Sequence, residues 1–224
     1  LLPGWRRQGI GTQLMRLIVD EAKANNRRLF FGYLHDNPGG RAFLGRLGGK
    51  EGLEAITNQV VIAEMDPGLL PRWRKLTAEA KERFDLGWWE GPYPDEHLED
   101  IVALHDLENQ QPFGDADLEP TKHTEEMLRD REKAIFGRGM ERLTLYIREK
   151  ETGAYAGYSE VLLNKRRPEI LRQEMTGVYP QYRGQGLGRL LKLTMLEKII
   201  ADRPEVRFIR TRNADTNKPM LSIN

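Results

Sequence analysis

The chain has 224 residues, of which 39% are hydrophobic and 31% are charged, with no cysteine and a formal net charge of +1. This composition is typical of a globular protein and excludes wholesale disorder, disulfides, catalytic thiols and thiolate metal sites. The sequence contains no run of about eighteen apolar residues, so it predicts no membrane-spanning helix. The four histidines show no zinc-ligand spacing, so no metal site is predicted, and His97 and His105 are expected at the surface.

The first third of the chain opens on a segment that contains two glycines, Trp5 to Gly11, and apolar residues then recur at helical spacing. The predicted elements follow in chain order: a helix over 10–22, a strand over 29–34, an Asn-bearing turn at Asn37, a strand over 60–65, and a charged helical linker over 72–84.

The remaining residues predict the order β-α-α-β-β-β-α-β. These elements are a strand over 85–89, helices over 95–109 and 124–136, strands over 143–147, 155–163 and 169–179, a helix that starts at Leu187 and stops before Pro204, and a strand over 206–211.

The glycine-containing segment occurs twice, because Tyr182 to Gly188 repeats the pattern of Trp5 to Gly11. Each copy leads into a helix, then into a strand that starts 20 residues after Gly9 or Gly186, and then into an Asn-bearing turn. Recurrence of the whole order predicts two related domains. We expect residues 1–66 to be the C-terminal part of a first repeat, 67–83 a helical linker, and 84–224 a second repeat.

Glycines at the start of a helix favour anion binding, because the first-turn N–H groups lack helical partners and the helix dipole is positive there. Each exposed contact contributes about 0.3–1 kcal/mol, so several N–H groups and an arginine must act together. A dinucleotide fingerprint would need a third glycine, and no Walker lysine motif is present. A glycine-rich turn without a ligand is the structural alternative.

The segment from Arg183 to Gly188 resembles the pyrophosphate-binding motif of the GNAT acyl-CoA-dependent N-acyltransferases. Residues 176–180 resemble that family's fourth strand, which carries a bulge, and residues 213–220 resemble the turn and helix after its fifth strand. Residues 6–11 and 37–48 resemble the same features again, so the chain resembles actinobacterial tandem-GNAT proteins of the mycothiol-synthase-like kind.

The resemblance implies an α/β (α+β) fold class: two tandem GNAT folds, each a mixed, mostly antiparallel sheet with flanking helices. A cleft is expected where the fourth and fifth strands splay apart. The chain begins at what resembles the entry to a helix and stops at residues 221–224 in the middle of one. Both ends are therefore expected to be incomplete.

The resemblance also implies that acetyl-CoA lies in this cleft. N–H groups after Arg183 would hold the pyrophosphate, and the Val178 N–H would hold the thioester oxygen, an oxyanion-hole contact worth about 3–4 kcal/mol. The expected cofactor-binding residues are Val178, Tyr179, Arg183, Gly184, Gln185, Gly186, Leu187, Gly188, Arg189, Asn213 and Asn217 in the second repeat, and Arg6, Arg7, Gly9 and Gly11 in the first.

The amine that attacks the thioester must be neutral, and only about one lysine-like amine in a thousand is neutral at pH 7. Glu174 is the predicted base, because in a regular strand it would share a face with Thr176 and Val178. Glu160, on the adjacent predicted strand, is the second candidate. The alternative for both is a solvent-facing carboxylate without a catalytic role.

In this family a tyrosine seven residues after the second turn asparagine often serves as the general acid. That position holds Asn224 in the second repeat and Leu44 in the first. We therefore assign no general acid. A thiol with a pKa near about 8.5 can depart as the thiolate.

The acceptor side of the predicted cleft is acidic, because no Lys or Arg occurs between Glu90 and Thr121. This pattern favours a cationic acceptor such as an aminoglycoside or a polyamine. The sequence thus predicts an acetyl-CoA-dependent N-acetyltransferase that acts on the primary amine of a small molecule by direct attack in a ternary complex. The alternatives are a non-catalytic acyl-CoA sensor, which the missing tyrosine supports, and a protein that binds other nucleotides.

We expect no nucleic-acid or membrane partner, and a monomer or homodimer. The lack of cysteine and of a targeting segment favours the cytoplasm.

Overall fold

The computed structural model describes residues 1–32, 34, 37–111, 119–214, 216 and 217. The chain divides into two compact units, residues 1–50 (unit 1) and residues 51–224 (unit 2). Seven α-helices and one six-stranded sheet lie in the described ranges. None of these helices has the length and apolar character that crossing a membrane requires.

Unit 1 contains two helices, α1 (Ile10–Ala24) and α2 (Pro38–Arg46). Asn37 caps α2, because its side chain accepts a hydrogen bond of 2.7 Å from the Gly40 N–H. The helix predicted over 10–22 is confirmed by α1. The strand predicted over 29–34 is wrong for residues 29–32 and 34, because a strand needs a hydrogen-bonded neighbour and none of the described residues pairs with them.

Unit 2 is built on a sheet with the strand order β1-β6-β5-β4-β3-β2, in which only β5 and β6 are parallel neighbours. The strands are β1 (Ala55–Val61), β2 (Phe84–Glu90), β3 (Met140–Glu149), β4 (Tyr155–Asn164), β5 (Ile170–Val178) and β6 (Phe208–Ala214). The helices are α3 (Leu69–Leu76), α4 (Ala78–Arg83), α5 (Leu98–His105), α6 (Glu125–Gly137) and α7 (Leu187–Asp202). This arrangement confirms the mixed, mostly antiparallel sheet with flanking helices.

The first strand of the sheet lies earlier than predicted. β1 covers residues 55–61 rather than 60–65, and Ile62–Glu64 forms a 3-10 turn. All of β1 pairs with β6, from Ala55 opposite Ala214 to Val61 opposite Phe208. The strand's bounds therefore follow from its pairing partner, which the apolar run at 60–65 does not reveal.

Apolar layers cover the two faces of the sheet. On one face, α7 places Leu190 and Leu191 against Leu145 and Val161, and all four side chains are buried. On the opposite face, α5 and α6 pack over Tyr158 of β4. Full burial of one such aliphatic side chain contributes about 1.5–3 kcal/mol, so these two layers hold the strands in place.

The parallel pair β5 and β6 separates towards its C-terminal ends. Paired positions run only from Ile170 opposite Phe208 to Gln173 opposite Thr211, whereas β5 continues to Val178 and β6 to Ala214. The two strands splay apart beyond Gln173, which confirms the predicted cleft in unit 2. We call this opening the β5/β6 gap.

Candidate functional site

The Val178 backbone borders the β5/β6 gap. Tyr179, directly after β5, donates its N–H to the backbone oxygen of Ala156 in β4 at 2.9 Å. Because successive N–H groups of an antiparallel strand point to opposite sides, the Val178 N–H faces away from β4 and towards the gap. A backbone donor is therefore available at the place where the sequence predicts the thioester oxygen.

The glycine-containing segment of unit 2 forms the turn into α7. Gly184 and Gly186 both have a φ of 78°, a conformation that glycine adopts without steric cost. Gly186 is the N-cap of α7, and no side chain of the described residues caps this helix. The N–H groups of residues 187–189 therefore have no acceptor within the helix. A Cβ at position 184 would meet no atom within 4 Å, so the surface there is open.

The arginines around this turn differ in their partners. Arg183 donates from Nε to the Val178 oxygen at 3.0 Å and from Nη2 to Gln110 Oε1 at 2.6 Å. Gln185 Oε1 accepts a hydrogen bond of 2.9 Å from Arg83. Arg189 Nε is buried and lacks a hydrogen-bond partner within the described ranges. A buried donor without an acceptor, beside an uncapped helix start, suits an anionic ligand.

The glycine-containing segment of unit 1 has the same backbone conformation. A 3-10 turn precedes each copy, at Pro3–Trp5 and at Pro180–Tyr182, and Gly9 is the N-cap of α1 with a φ of 79°. Arg7 stands where the second copy has Gly184 and has a φ of 65°. A non-glycine residue in this left-handed backbone conformation costs about 1–2 kcal/mol.

The other predicted residues of unit 1 lie around this turn. Arg6 donates from Nε to the Leu1 oxygen at 3.1 Å. Gly11 lies in the first turn of α1, where a Cβ would be 3.5 Å from the Phe43 ring. Leu44, at the position of the family's general acid, lies within α2.

The two predicted turn asparagines lie at the C-terminal end of β6, Asn213 within the strand and Asn217 after it. Asn213 pairs with Ile56 of β1, and its Nδ2 is buried with no hydrogen-bond partner in the described part of the chain. The Asn217 N–H donates to the Ala214 oxygen at 3.0 Å and closes a turn. Asn224 lies outside the described residues.

A β-bulge interrupts β5 just before the gap. The register between β4 and β5 shifts between Ser159 and Val161, so that Glu174 and Met175 together oppose the single residue Glu160. The bulge thus lies shortly before residues 176–180, the segment that resembles the bulged strand of the family. It brings the two predicted catalytic candidates to the same place on adjacent strands.

The bulge reverses the alternation of side chains along β5. Gln173 Nε2 lies 3.3 Å from Thr176 Oγ1, so these two side chains share the face of the sheet that α7 covers. Glu174 lies on the opposite face, with α5 and α6. The prediction that Glu174 shares a face with Thr176 and Val178 is therefore wrong, because it assumed a regular strand.

Glu174 occupies a partly buried position on that face. Its side chain is 23% exposed, and its Oε1 lies 2.8 Å from Arg172 Nη2. Burial raises the pKa of the Glu174 carboxyl group, against the lowering effect of Arg172 and with a further raising effect of Glu160. A raised pKa brings a carboxylate closer to the range in which it acts as a general base.

Glu160 is fully buried and has hydrogen bonds to both of its carboxylate oxygens. Arg131 Nη2 lies 3.0 Å from Oε1, and the Tyr93 hydroxyl donates to Oε2 at 2.8 Å. These partners stabilise the carboxylate and separate it from solvent. Of the two candidates, Glu174 is therefore the one with an oxygen nearer to solvent.

The sequence did not reveal a polar cluster that surrounds Glu160. His105 is 1% exposed, so its expected surface position is wrong, and its Nε2 lies 3.2 Å from the Tyr93 hydroxyl. His105 Nδ1 and Arg131 Nη1 lie 3.0 and 2.9 Å from Glu108 Oε1. Burial alone would raise the pKa of Glu108, but these two partners lower it to about 2. The signal that could have found the cluster is His105 within the apolar stripe of α5.

Two exposed carboxylates act on Tyr179, the residue that follows Val178. The Tyr179 hydroxyl donates to the Ala103 oxygen of α5 at 2.7 Å, and burial followed by the charges of Asp106 and Asp100 raises the pKa of Tyr179. Asp100 and Asp106 are themselves exposed. Residues 112–118 of the predicted acidic stretch lie outside the described residues.

Comparisons with known proteins agree with this geometry. Residues 1–48 match the profile of the "Acetyltransferase (GNAT) family". The chain is similar over 99% of its length to a tandem GNAT protein from the clavulanic acid biosynthesis pathway, with 26% identity, a TM-score of 0.72 and 66% of that chain covered. It is also similar to a GCN5-related N-acetyltransferase from Sphaerobacter thermophilus, with 14% identity, a TM-score of 0.58, and 96% of this chain and 62% of that chain covered. No curated protein sequence matches significantly.

Residues 1–48 thus match the GNAT family model, and over nearly its whole length the chain is similar to a tandem GNAT protein. The chain spans less than two thirds of the length of either matched structure.

Proposed function

We propose that this protein is an acetyl-CoA-dependent N-acetyltransferase that moves an acetyl group to the primary amine of a small molecule by direct attack in a ternary complex. The observation that carries the proposal is the β5/β6 gap, which the Val178 N–H faces. Beside it α7 begins with no side-chain cap from the described part of the chain. The family match and the similarity to GNAT structures support the same activity.

The residues around the gap fit acetyl-CoA, which supplies an acetyl group activated as a thioester. The N–H groups of residues 187–189 and the side chains of Arg183 and Arg189 would hold the diphosphate. The open space at Gly184 and the buried Arg189 Nε, which has no hydrogen-bond partner among the described residues, support this assignment. The Val178 N–H would bind the thioester oxygen, and Asn213 and Asn217 would line the far side of the gap.

Glu174 is the proposed base. Its partial burial raises its pKa, and its carboxylate lies on the face of α5, which borders the gap through Tyr179. At pH 7 the neutral form of a lysine-like amine lies roughly 4–5 kcal/mol above the protonated form, at about 1.4 kcal/mol per pKa unit. A base that removes the proton offsets this cost. Glu160 remains the second candidate.

We propose a cationic acceptor, because Asp100 and Asp106 are exposed and their charges act on Tyr179, next to Val178, while its partners hold Glu108 ionised. Residues 1–66 are proposed as part of a first repeat whose Arg6, Arg7, Gly9 and Gly11 could bind a second CoA. In this proposal residues 67–83 are the linker and 84–224 the repeat that carries out the reaction.

Thiol release from acetyl-CoA, measured over a panel of amines, tests the proposal. We expect amine-dependent release that is faster with polyamines and aminoglycosides than with amino acids or other anionic amines. The preference should weaken as salt rises, because exposed charges are screened over about 8–10 Å at 0.1–0.15 M ionic strength. Binding of CoA without thiol release for any amine would favour the sensor instead, and a preference for anionic amines would contradict the acceptor class.

A further inference from the structure

We propose that Gln173 is a positioning residue, which holds the β5 bulge in place and thereby keeps Glu174 on the acceptor side of the sheet. The proposal rests on the proposed function, because Glu174 is the base of that reaction. Gln173 itself is buried and lies on the other face of the sheet, the face that α7 covers.

The Gln173 carboxamide bridges the bulge from the α7 side. Its side chain is buried, and its Nε2 donates to the Glu160 backbone oxygen at 2.9 Å and to Ser159 Oγ at 3.1 Å. A carboxamide NH₂ group has two hydrogens, and these two shortest contacts use both of them. Ser159 Oγ in turn lies 2.8 Å from Thr176 Oγ1, so the first regular pair after the bulge is tied to the same group.

The Gln173 contact to the Glu160 oxygen lies at the bulge itself, because Glu160 is the residue of β4 that opposes both Glu174 and Met175. A bulge disrupts the regular ladder of backbone hydrogen bonds. Gln173 Nε2 gives the Glu160 oxygen a side-chain donor at this place, so the carboxamide ties the bulged part of β5 to β4. Loss of a donor to a buried acceptor costs about 1–3 kcal/mol where no other donor replaces it.

The bulge decides which face Glu174 occupies. Continuing the register of Ser159 opposite Thr176 without a bulge would place Glu174 opposite Val161, which is completely buried under α7. A shift of one residue moves a side chain to the other face of a sheet. The bulge therefore allows Leu171 and Thr176 to face α7 while Glu174 faces α5 and α6.

A double-mutant cycle with Gln173→Met and Glu174→Gln tests the proposal. In the wild-type background, Gln173→Met should lower kcat about tenfold at pH 7 and less at pH 9, where more of the amine is already neutral, with little change in the KM for acetyl-CoA. In the Glu174→Gln background it should change kcat by less than about twofold, because its effect acts through Glu174. A role confined to stability would lower folding midpoints without this pH dependence or this loss of additivity.

Equal losses in both backgrounds, equal losses at both pH values, or an unchanged kcat would each overturn the role of Gln173. Gln59→Met on β1 is the matched control, because Gln59 is exposed and its Oε1 accepts a hydrogen bond of 2.7 Å from Arg210. The kcat of this variant should stay at the wild-type value. If Gln173→Met does not fold, Gln173→Asn enters the same cycle with the same opposing outcomes. A wild-type protein without amine-dependent thiol release refutes the proposed function, whereas an active wild type with an additive cycle refutes only this inference.

Discussion

Glu174→Gln should lower kcat by about 10²–10⁴-fold at pH 7 and far less at pH 9. The amide cannot accept the proton of the attacking amine, so the variant depends on the fraction of amine that is already neutral. That fraction rises about tenfold for each pH unit below the amine pKa. Thiol release at saturating acetyl-CoA and amine, followed from pH 6 to pH 9, measures the effect.

The matched control is Glu169→Gln. Glu169 is a half-exposed carboxylate just before the same strand, and it lies 3.5 Å from Arg167 Nε. It should leave kcat and its pH dependence unchanged. A Glu174→Gln variant that loses the same factor at pH 7 and pH 9 would show that Glu174 is not the base. Retention of full activity would show the same.

The same substitution should stabilise the protein at neutral pH. Burial raises the folded-state pKa of Glu174 above its unfolded value, so the ionised carboxylate is disfavoured in the folded state. The contribution of the Glu174 carboxyl group to stability is greatest below its pKa in the unfolded state. This contribution is lost as the pH rises through its pKa in the folded state. Urea unfolding should therefore give Glu174→Gln a higher free energy of unfolding than the wild type at pH 7, with a smaller difference at low pH.

Glu160→Ala should lower the free energy of unfolding by about 3–5 kcal/mol, because it removes one partner of a buried ion pair. Arg131 would lose its 3.0 Å contact, and the Tyr93 hydroxyl would lose its acceptor. Urea denaturation at pH 7 measures the change.

If Glu160→Ala lowered the free energy of unfolding by less than about 1 kcal/mol, the result would contradict a stabilising role for this carboxylate. A loss that small is typical of an exposed ion pair. A folded Glu160→Gln variant that loses activity mostly at pH 7, as expected for Glu174→Gln, would instead point to Glu160 as the base.

The sequence predicts features that depend on local information. Gly186 and Leu187 mark the start of α7, because a glycine with positive φ and a following apolar stripe act within a few residues. The repeat of this pattern at Gly9 is visible for the same reason. The family resemblance then supplies the splay of β5 and β6, which no single segment encodes.

Features that depend on the partner strand are not visible in the sequence. The bounds of β1 follow from β6, some 150 residues away, and the bulge at Glu174 follows from a register with β4 that also has to bury Leu171 and Thr176. The burial of His105 depends likewise on Tyr93 and Glu108, which make a polar residue acceptable within an apolar layer.

The structure of the protein bound to acetyl-CoA is the most direct measurement of the central claim. We predict that the pantetheine arm lies between β5 and β6, that the diphosphate contacts the N–H groups of residues 187–189, and that the Val178 N–H donates to the thioester oxygen. Acetyl-CoA bound at another surface, with the β5/β6 gap closed or filled by side chains of this chain, would contradict the claim.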